Sequence, residues 1–173
     1  MQKILITNGS GTCGKDTFAE IMGKYVSVIK YSSIDFFKCL GILGFMKEEK
    51  GEKERNLLHN LKKAFVEYNN LPLILCKDKI EKFLSDEMNA EVLIIDIREP
   101  EEIEKIINIY PEIITVLITN DNAPVINTPA DTGVFDYKYD YIIDNSYTLE
   151  VLEESVLTFL KELNFKIDES EDN

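Results

Sequence analysis

The sequence is poor in the residues that most often carry metal or acid–base chemistry. His59 is the single histidine among 173 residues, and the three cysteines, Cys13, Cys39 and Cys76, have no CxxC spacing. We therefore expect neither a zinc site nor Ser-His-Asp catalysis, and a His-Cys dyad would have to use His59. An odd number of unspaced cysteines also argues against a disulfide framework, which favours a cytoplasmic protein.

Positive charge and long apolar runs are scarce as well. The chain has 19 Lys and Arg against 32 Asp and Glu, a net charge of −13, which repels phosphate backbones and anionic lipids. No apolar run approaches the ~20 residues that a membrane span needs, and the first residues do not have the pattern of a secretory signal. We expect neither nucleic acid nor a membrane as partner; a homodimer stays open.

Length and composition favour a single globular domain, because 173 residues with 45% hydrophobic and 29% charged side chains suffice for one core. We predict one domain over residues 1–165 and a disordered acidic tail over 166–173. The polar stretch 120–138, with two prolines and one glycine, predicts a loop or lid.

Apolar patterns predict alternating strands and helices. The predicted strands cover residues 3–7, 26–31, 92–97, 112–119 and 139–143. The predicted helices cover 14–25, a short segment with Phe36, Phe37 and Leu40, 55–68, segments beginning near Pro72 and Pro100, and 149–163. This alternation is typical of an α/β fold with a mostly parallel sheet between helices.

The helix over 55–68 has an apolar stripe that predicts its buried face. The stripe consists of Leu57, Leu58, Leu61, Ala64, Phe65 and Tyr68. The polar residues off the stripe are Arg55, His59, Lys62 and Lys63. We interpret them as a solvated face of the helix. For Arg55 we give equal weight to a role in ligand binding.

A glycine-rich motif follows the first predicted strand and opens a helix: Gly9-Ser10-Gly11-Thr12-Cys13-Gly14-Lys15-Asp16-Thr17. It matches the GxxxxGK phosphate-binding loop, with Asp16 where Ser or Thr usually stands. We expect its backbone N–H groups and the helix N-terminus to bind the phosphates of ATP, with Lys15 on the β- and γ-phosphates. The alternative is a glycine-rich turn. For Cys13 we prefer a backbone role to that of a reactive thiol.

Three residues are predicted to hold Mg²⁺. Asp16 offers a charged oxygen ligand, and Thr17 offers a hydroxyl one residue later. Asp96 ends the apolar strand Val92-Leu93-Ile94-Ile95, the arrangement of a Walker B acid beside a nucleotide. A strand that ends in Asp is also common at ordinary turns, so the functional interpretation of Asp96 depends on the phosphate loop.

Four segments together resemble the phage-type deoxynucleoside monophosphate kinases. They are "GTCGKDT", "YSSIDFFK", "IIDIREPEEIEKI" and "YDYIIDNSYTLEVLEESV", in the order in which that family has them. The resemblance implies a five-stranded parallel sheet of order 2-3-1-4-5, an ATP donor site at the phosphate loop, and a nucleotide or similar phosphorylated acceptor. It also implies that "YSSIDFFK" is an acceptor segment.

Acceptor binding is therefore assigned to a helical region over about 33–88. Ser33, Asp35 and Lys38 come from the acceptor segment: Asp35 would orient an acceptor oxygen, or cap a helix, and Lys38 would hold acceptor phosphate. Arg55 is a further candidate, and Tyr68 would stack on a base or belong to the core.

Arginine, which kinases use to stabilise the charge of the transferred phosphoryl group, is scarce in this sequence. The chain has two, Arg55 and Arg98, and none lies in the predicted lid. We therefore predict Lys15, Arg98 and Asp35 as catalytic residues, with an ion pair from Arg98 to Glu101 or Glu102 as the structural alternative. The predicted activity is transfer of the γ-phosphate of Mg-ATP to a (deoxy)nucleoside monophosphate. The alternatives are a kinase for dephospho-coenzyme A or another small molecule, and a nucleotide-binding protein with weak or no activity.

Overall fold

The computed structural model describes residues 2–36, 52–124 and 133–167. The strands are β1 (Lys3–Asn8), β2 (Val28–Ser32), β3 (Val92–Asp96), β4 (Ile114–Thr119) and β5 (Tyr141–Asp144). The helices within these ranges are α1 (Lys15–Met22), α2 (Glu52–Asn69), α3 (Leu71–Leu84), α4 (Pro100–Ile107) and α5 (Leu149–Glu162). The predicted alternation of strands and helices is confirmed.

The five strands form one parallel sheet of order β2-β3-β1-β4-β5, which confirms the predicted order. β1 lies at the centre, with Thr7 beside Asp96 of β3 and Val116 of β4. Ser32 of β2 is also in register with Asp96. Because all carboxyl ends meet at one edge, the loops that follow β1, β2 and β3 lie together there.

The core has two layers, one on each face of the sheet. One layer packs α1 and α5 against inward residues of the strands, and Phe18 and Phe159 meet there with ring centroids 6.0 Å apart. The other packs α3 and α4 against the opposite strand face, around Ile80 and Phe83. Strand side chains alternate between the faces, so Leu5 enters the first layer and Ile4 and Ile6 the second.

Several predicted boundaries and faces differ from the structure. β2 begins at Val28 rather than Val26, because Val26 ends the turn after α1 and packs in the core. α1 ends at Met22, where Gly23 follows, and not at Tyr25. Leu57, predicted to be buried, is exposed.

Three predictions concern residues outside the described ranges. These are the short helix beyond Phe36, the central part of the predicted lid at 125–132, and the acidic tail from residue 168. Among the described helices, none combines the length and the apolar character needed to cross a bilayer.

Candidate nucleotide-binding cleft

The phosphate loop joins the central strand to α1 through backbone angles that few side chains adopt. Gly9 has φ 152° and Gly14 has φ 99°, both on the positive side that glycine tolerates. In the middle of the loop Thr12 is also left-handed, with φ 66°. The loop therefore turns at three points between the end of β1 and Lys15, the first residue of α1.

Close packing adds a second reason for both glycines. A Cβ atom at Gly14 would collide with Nδ2 of Asn145, the amide that donates to the carbonyl oxygen of Cys13 at 2.9 Å. A Cβ atom at Gly9 would meet the carbonyl oxygen of Ile118 and the sulfur of Cys13. The loop is thus held between the ends of β4 and β5, which positions its backbone groups before any ligand arrives.

Lys15 and Cys13 have different positions in this loop. The Lys15 ammonium donates to the carbonyl oxygens of Gly9 and Ser10 at 2.9 and 3.2 Å, and it lies 3.7 Å from the sulfur of Cys13. Cys13 is fully buried among core side chains. A buried thiol suits the prediction that Cys13 serves through its backbone, while Lys15 remains at the open side of the loop and lines the cleft.

Asp96 lies at the carboxyl edge of the sheet, between the ends of β1 and β2. Its Oδ1 accepts a hydrogen bond from the Thr7 hydroxyl on β1, and its Oδ2 lies 2.9 Å from the ammonium of Lys30 on β2. The same ammonium forms an ion pair with Asp16 of α1. Burial disfavours the charge of Lys30, but its bonds to Asp16 and its attraction to Asp96 raise its pKa.

The two acids predicted to bind Mg²⁺ therefore converge on one cation. Carboxylate oxygens are the ligands that Mg²⁺ prefers, and this ion is usually held by one or two carboxylates with the remaining sites taken by substrate phosphates and water. Within the described residues no group of three or more His, Cys, Asp and Glu side chains could hold a metal ion. Asp16 and Asp96 fit a nucleotide-dependent Mg²⁺ site, and Thr17 lines the same cleft.

A cleft of about 690 Å³ runs from the phosphate loop to α2. Its described lining includes Thr12, Gly14, Lys15, Asp16, Thr17, Lys30, Ser32, Ser33, Ile34, Asp35, Leu58, His59, Lys62, Asp96, Arg98 and Glu99. A volume of this size is within the usual range for a small-molecule site. The cleft joins most of the predicted donor and metal residues to three predicted acceptor or catalytic residues, Ser33, Asp35 and Arg98.

Tyr68 is the predicted acceptor residue that the structure places elsewhere. It lies near the end of α2, with 83% of its surface exposed, and it is not part of the described cleft lining. Neither stacking on a base in this cleft nor a place in the core fits that position, because the last turn of α2 extends beyond the cleft. Lys38 and the side chain of Arg55 lie outside the described part of the structure.

Arg98 lines the cleft from outside the strand that carries Asp96. β3 ends at Asp96, so Arg98 lies in the irregular segment before α4 and does not share a strand face with Asp96. Its carbonyl oxygen accepts a hydrogen bond from Asn8 at 3.0 Å. Glu102, one of the alternative partners predicted for Arg98, forms an ion pair with Lys62 at 2.7 Å.

Asp35 lines the cleft at the start of the segment that was predicted to bind the acceptor. Its Oδ2 accepts a hydrogen bond from the backbone N–H of Ser32 at 2.8 Å, a local bond back to the end of β2. The cleft is also lined by Ser33, which is buried and donates its backbone N–H to the carbonyl oxygen of Asp96 at 3.4 Å. The bond from Ser32 orients the Asp35 carboxylate at the edge of the cleft.

Lys62 is a buried cation in the α2 wall of the cleft. Only 6% of the residue is exposed, and its ammonium lies 2.5 Å from Glu99 and 2.7 Å from Glu102. Burial opposes its charge, yet the two carboxylates raise the pKa of Lys62. Burial also raises the pKa of the Glu102 carboxyl, against the opposing effect of Lys62. The predicted solvated position of Lys62 is therefore wrong, whereas Lys63 is exposed.

A polar network ties the start of the phosphate loop to the end of the predicted lid. The buried Asn8 donates to the hydroxyl of Tyr139 at 2.7 Å, and that hydroxyl donates to the carbonyl oxygen of Val134 at 2.7 Å. Asn8 Oδ1 accepts from the N–H of Gly9 at 2.7 Å. Burial raises the pKa of Tyr139 to about 12, although the bond from Asn8 acts in the opposite direction.

Several residues of the cleft lining were not predicted as site residues, and three of them carry basic side chains: Lys30, His59 and Lys62. A signal existed for Lys30, which is the only charged residue in the β-rich run Val28-Ile29-Lys30-Tyr31. His59 and Lys62 stand beside the apolar stripe of α2, and the stripe alone does not say which edge faces a cleft and which faces water.

Comparisons with known proteins show which fold this is. A tunicamycin resistance protein from Deinococcus radiodurans is similar over 96% of this chain and 98% of its own, with 11% identity and a TM-score of 0.54. Shikimate kinase from Aquifex aeolicus matches 93% of this chain and 98% of its own, with 13% identity and a TM-score of 0.50. Dephospho-CoA kinase from Campylobacter jejuni matches 94% of this chain and 97% of its own, with 17% identity and a TM-score of 0.48.

No protein-family model and no curated protein sequence matches the chain. The structural likenesses extend over nearly the whole chain, and at these identities they show the fold alone. It is a three-layer P-loop fold, with a parallel sheet of order β2-β3-β1-β4-β5 between two helical layers.

Proposed function

We propose that the protein is a phosphotransferase that moves the γ-phosphate of Mg-ATP to a small acceptor, with a (deoxy)nucleoside monophosphate as the first candidate. The observation that supports this most strongly is the cleft, which has a phosphate loop and Asp96 at one end and α2 at the other. Phosphoryl transfer depends mainly on positioning and charge, and this cleft could place a donor and an acceptor side by side.

The charges of the cleft favour a donor that arrives with a metal ion. The described lining has four cations, Lys15, Lys30, Lys62 and Arg98, against four carboxylates, Asp16, Asp35, Asp96 and Glu99. A triphosphate that enters such a balanced site needs additional positive charge. Mg²⁺ on Asp16 and Asp96, when bound, would neutralise oxygens of the β- and γ-phosphates.

The transfer step breaks the bond between the γ-phosphorus and the oxygen that bridges it to the β-phosphate. A bond forms to an acceptor oxygen, and ADP leaves with the bridging oxygen. Lys15 would bind the β- and γ-phosphates, and Arg98 would stabilise the charge on the transferred group. With a phosphate acceptor no strong base is required, so Asp35 would orient the acceptor.

A small acceptor that reacts through a hydroxyl, such as dephospho-coenzyme A, is the second candidate. The supporting observation is that Lys62 is neutralised by Glu99 and Glu102, which lowers the positive charge available for an acceptor phosphate. In this case the hydroxyl proton would pass to the carboxylate of Asp35.

Donor binding is tested by thermal shift with Mg-ATP. At about 100 times its Kd the ligand should stabilise the protein by ~2.7 kcal/mol, or about 5–10 °C for a domain of this size. Lys15→Ala should lose most of this shift. Lys24→Ala, which removes a lysine paired with Glu153 outside the described cleft, should keep it. A wild-type protein without any shift at millimolar ATP or GTP would refute the donor site.

The acceptor is tested by ADP release, measured in a coupled assay with ribo- and deoxynucleoside monophosphates and dephospho-coenzyme A. Turnover with a monophosphate supports the first candidate, and turnover with dephospho-coenzyme A alone supports the second. Nucleotide binding without turnover on any of them would favour a nucleotide-binding protein without kinase activity.

A further inference from the structure

Lys30 occupies an unusual position for a strand residue. It is the only charged residue of β2, the edge strand beside β3, and it stands two residues before the carboxyl end. Its side chain extends along the sheet to that edge, where the ammonium contacts both Asp16 and Asp96. The group thus lies between the two carboxylates that the proposed function assigns to Mg²⁺.

Stability alone is a weak explanation for this arrangement. Asp16 has 85% of its side chain exposed, and ion pairs with such exposed groups contribute little. Asp96, with 15% exposed, already accepts a hydrogen bond from Thr7.

The ammonium and a divalent cation compete for the same oxygen atoms. Mg²⁺ binds carboxylates at ~2.0–2.1 Å and demands a nearly regular octahedral shell, which leaves no room for an ammonium in contact with the same two groups. The two cations also repel each other at such distances. Phosphate oxygens remove the conflict, because they offer ligands to both cations and the negative charge to balance them.

We propose that Lys30 is an internal counter-ion that excludes divalent cations from Asp16 and Asp96 until a nucleotide supplies phosphate oxygens for both. Metal binding then depends on nucleotide binding. The Lys30 ammonium, displaced from the two carboxylates, donates hydrogen bonds to the phosphate oxygens. This inference rests on the proposed function for the identity of the nucleotide. The competition between Lys30 and the metal can be measured without any nucleotide.

The test uses Mn²⁺ as a spectroscopic substitute for Mg²⁺, with the free ion measured by electron paramagnetic resonance on the full chain. Lys30→Met should increase Mn²⁺ affinity in the absence of nucleotide by about tenfold or more, within the usual range for coupling between two ligands. Lys30→Arg keeps the positive charge and should exclude Mn²⁺ as the wild type does. Adding Asp96→Asn to Lys30→Met should abolish the gain.

Lys24→Met is the matched control, because it removes one lysine from an ion pair with Glu153 at 2.8 Å on another surface. It should leave Mn²⁺ affinity at the wild-type value. The proposal is overturned if Lys30→Met and Lys24→Met have the same Mn²⁺ affinity. If both affinities are raised, the cause is the more negative net charge, and if both are unchanged, Lys30 does not compete with the metal.

A second measurement keeps the proposal testable if Lys30→Met fails to fold. ADP should raise the Mn²⁺ affinity of the wild type, and in Lys30→Gln this increase should be smaller, because the competing ammonium is already gone. An equal increase in both proteins would contradict the role of Lys30. If ADP does not bind the wild type at all, the proposed donor site is wrong, and the nucleotide-free Mn²⁺ comparison of Lys30→Gln with the wild type decides the competition separately.

Discussion

Replacing Lys62 with Met is the substitution whose effect on stability follows most directly from the structure. Methionine keeps the length and apolar character of the side chain but removes the ammonium that contacts Glu99 and Glu102. Glu102, with 15% of its side chain exposed, then becomes a partly buried carboxylate without its cation. We expect clear destabilisation, because a buried charge that loses its partner keeps its desolvation cost.

The magnitude can be bounded from general values. Breaking a buried ion pair by removing one partner costs about 3–5 kcal/mol. Glu99 has 30% of its side chain exposed and can regain water, which places the expected cost near ~3 kcal/mol, at the lower end of that range. For a domain of this length this corresponds to a decrease in Tm of about 6–12 °C, measured in thermal melts at pH 8 and checked by urea unfolding.

The pH dependence gives a second readout of the same cluster. Burial raises the pKa of Glu102 and Lys62 opposes that rise, so the pKa should increase further in Lys62→Met. A carboxyl group with a raised pKa in the folded state favours folding at low pH, and this contribution is lost as pH rises through that pKa. The stability difference between wild type and Lys62→Met should therefore shrink as pH falls from 8 to 5.

Lys63→Met is the matched control on the next residue of α2. Lys63 and Glu67 are 4.0 Å apart, with 68% and 69% of their side chains exposed, so the loss should stay within about 0.5 kcal/mol. If Lys62→Met and Lys63→Met melt at the same temperature, or if the difference does not shrink at low pH, the buried cluster described here is wrong.

Three further outcomes are expected. Asp96→Asn should weaken Mg-ADP binding more than metal-free ADP binding in titration calorimetry, and equal losses would argue against a metal ligand. Arg98→Lys should lower turnover by orders of magnitude, up to the ~10³–10⁵ typical of a transition-state arginine, with donor affinity near wild type; a change of only a few-fold would reduce Arg98 to a structural role. Tyr139→Phe should cost about 1 kcal/mol in urea unfolding, since it leaves Asn8 and Val134 without the hydroxyl, and an unchanged midpoint would contradict that network.

Hydrophobic periodicity was sufficient to predict most of the elements, because most strands and helices show an apolar pattern in their own residues. The order of the strands is a different matter. Nothing in the periodicity says that β2 lies beside β3, and that prediction came from the resemblance to kinases and was confirmed by the sheet. Element ends were the least accurate, as at Val26, where a core residue in a turn looks like part of a strand.

The contiguous part of the candidate site was also accessible from the chain itself. Gly9, Gly14 and Lys15 stand within seven residues, and their chemistry depends on a local turn between a strand and a helix. Asp96 was predictable for a similar reason, because it directly follows the apolar residues of its own buried strand. Where residue types and a local turn define the chemistry, sequence spacing carries the information.

Lys30, Lys62 and Tyr68 show what depended on packing. Lys30 meets Asp16 and Asp96 because β2 and β3 are adjacent and parallel, and Lys62 is buried because the segment before α4 places Glu99 beside α2. Tyr68 has a side chain of the type that often binds ligands, but it lies in the last turn of α2, beyond the cleft, and is exposed. Helical periodicity defines a face only relative to its own axis, so the tertiary arrangement of α2 against the sheet decides which polar side chains meet a ligand and which meet water.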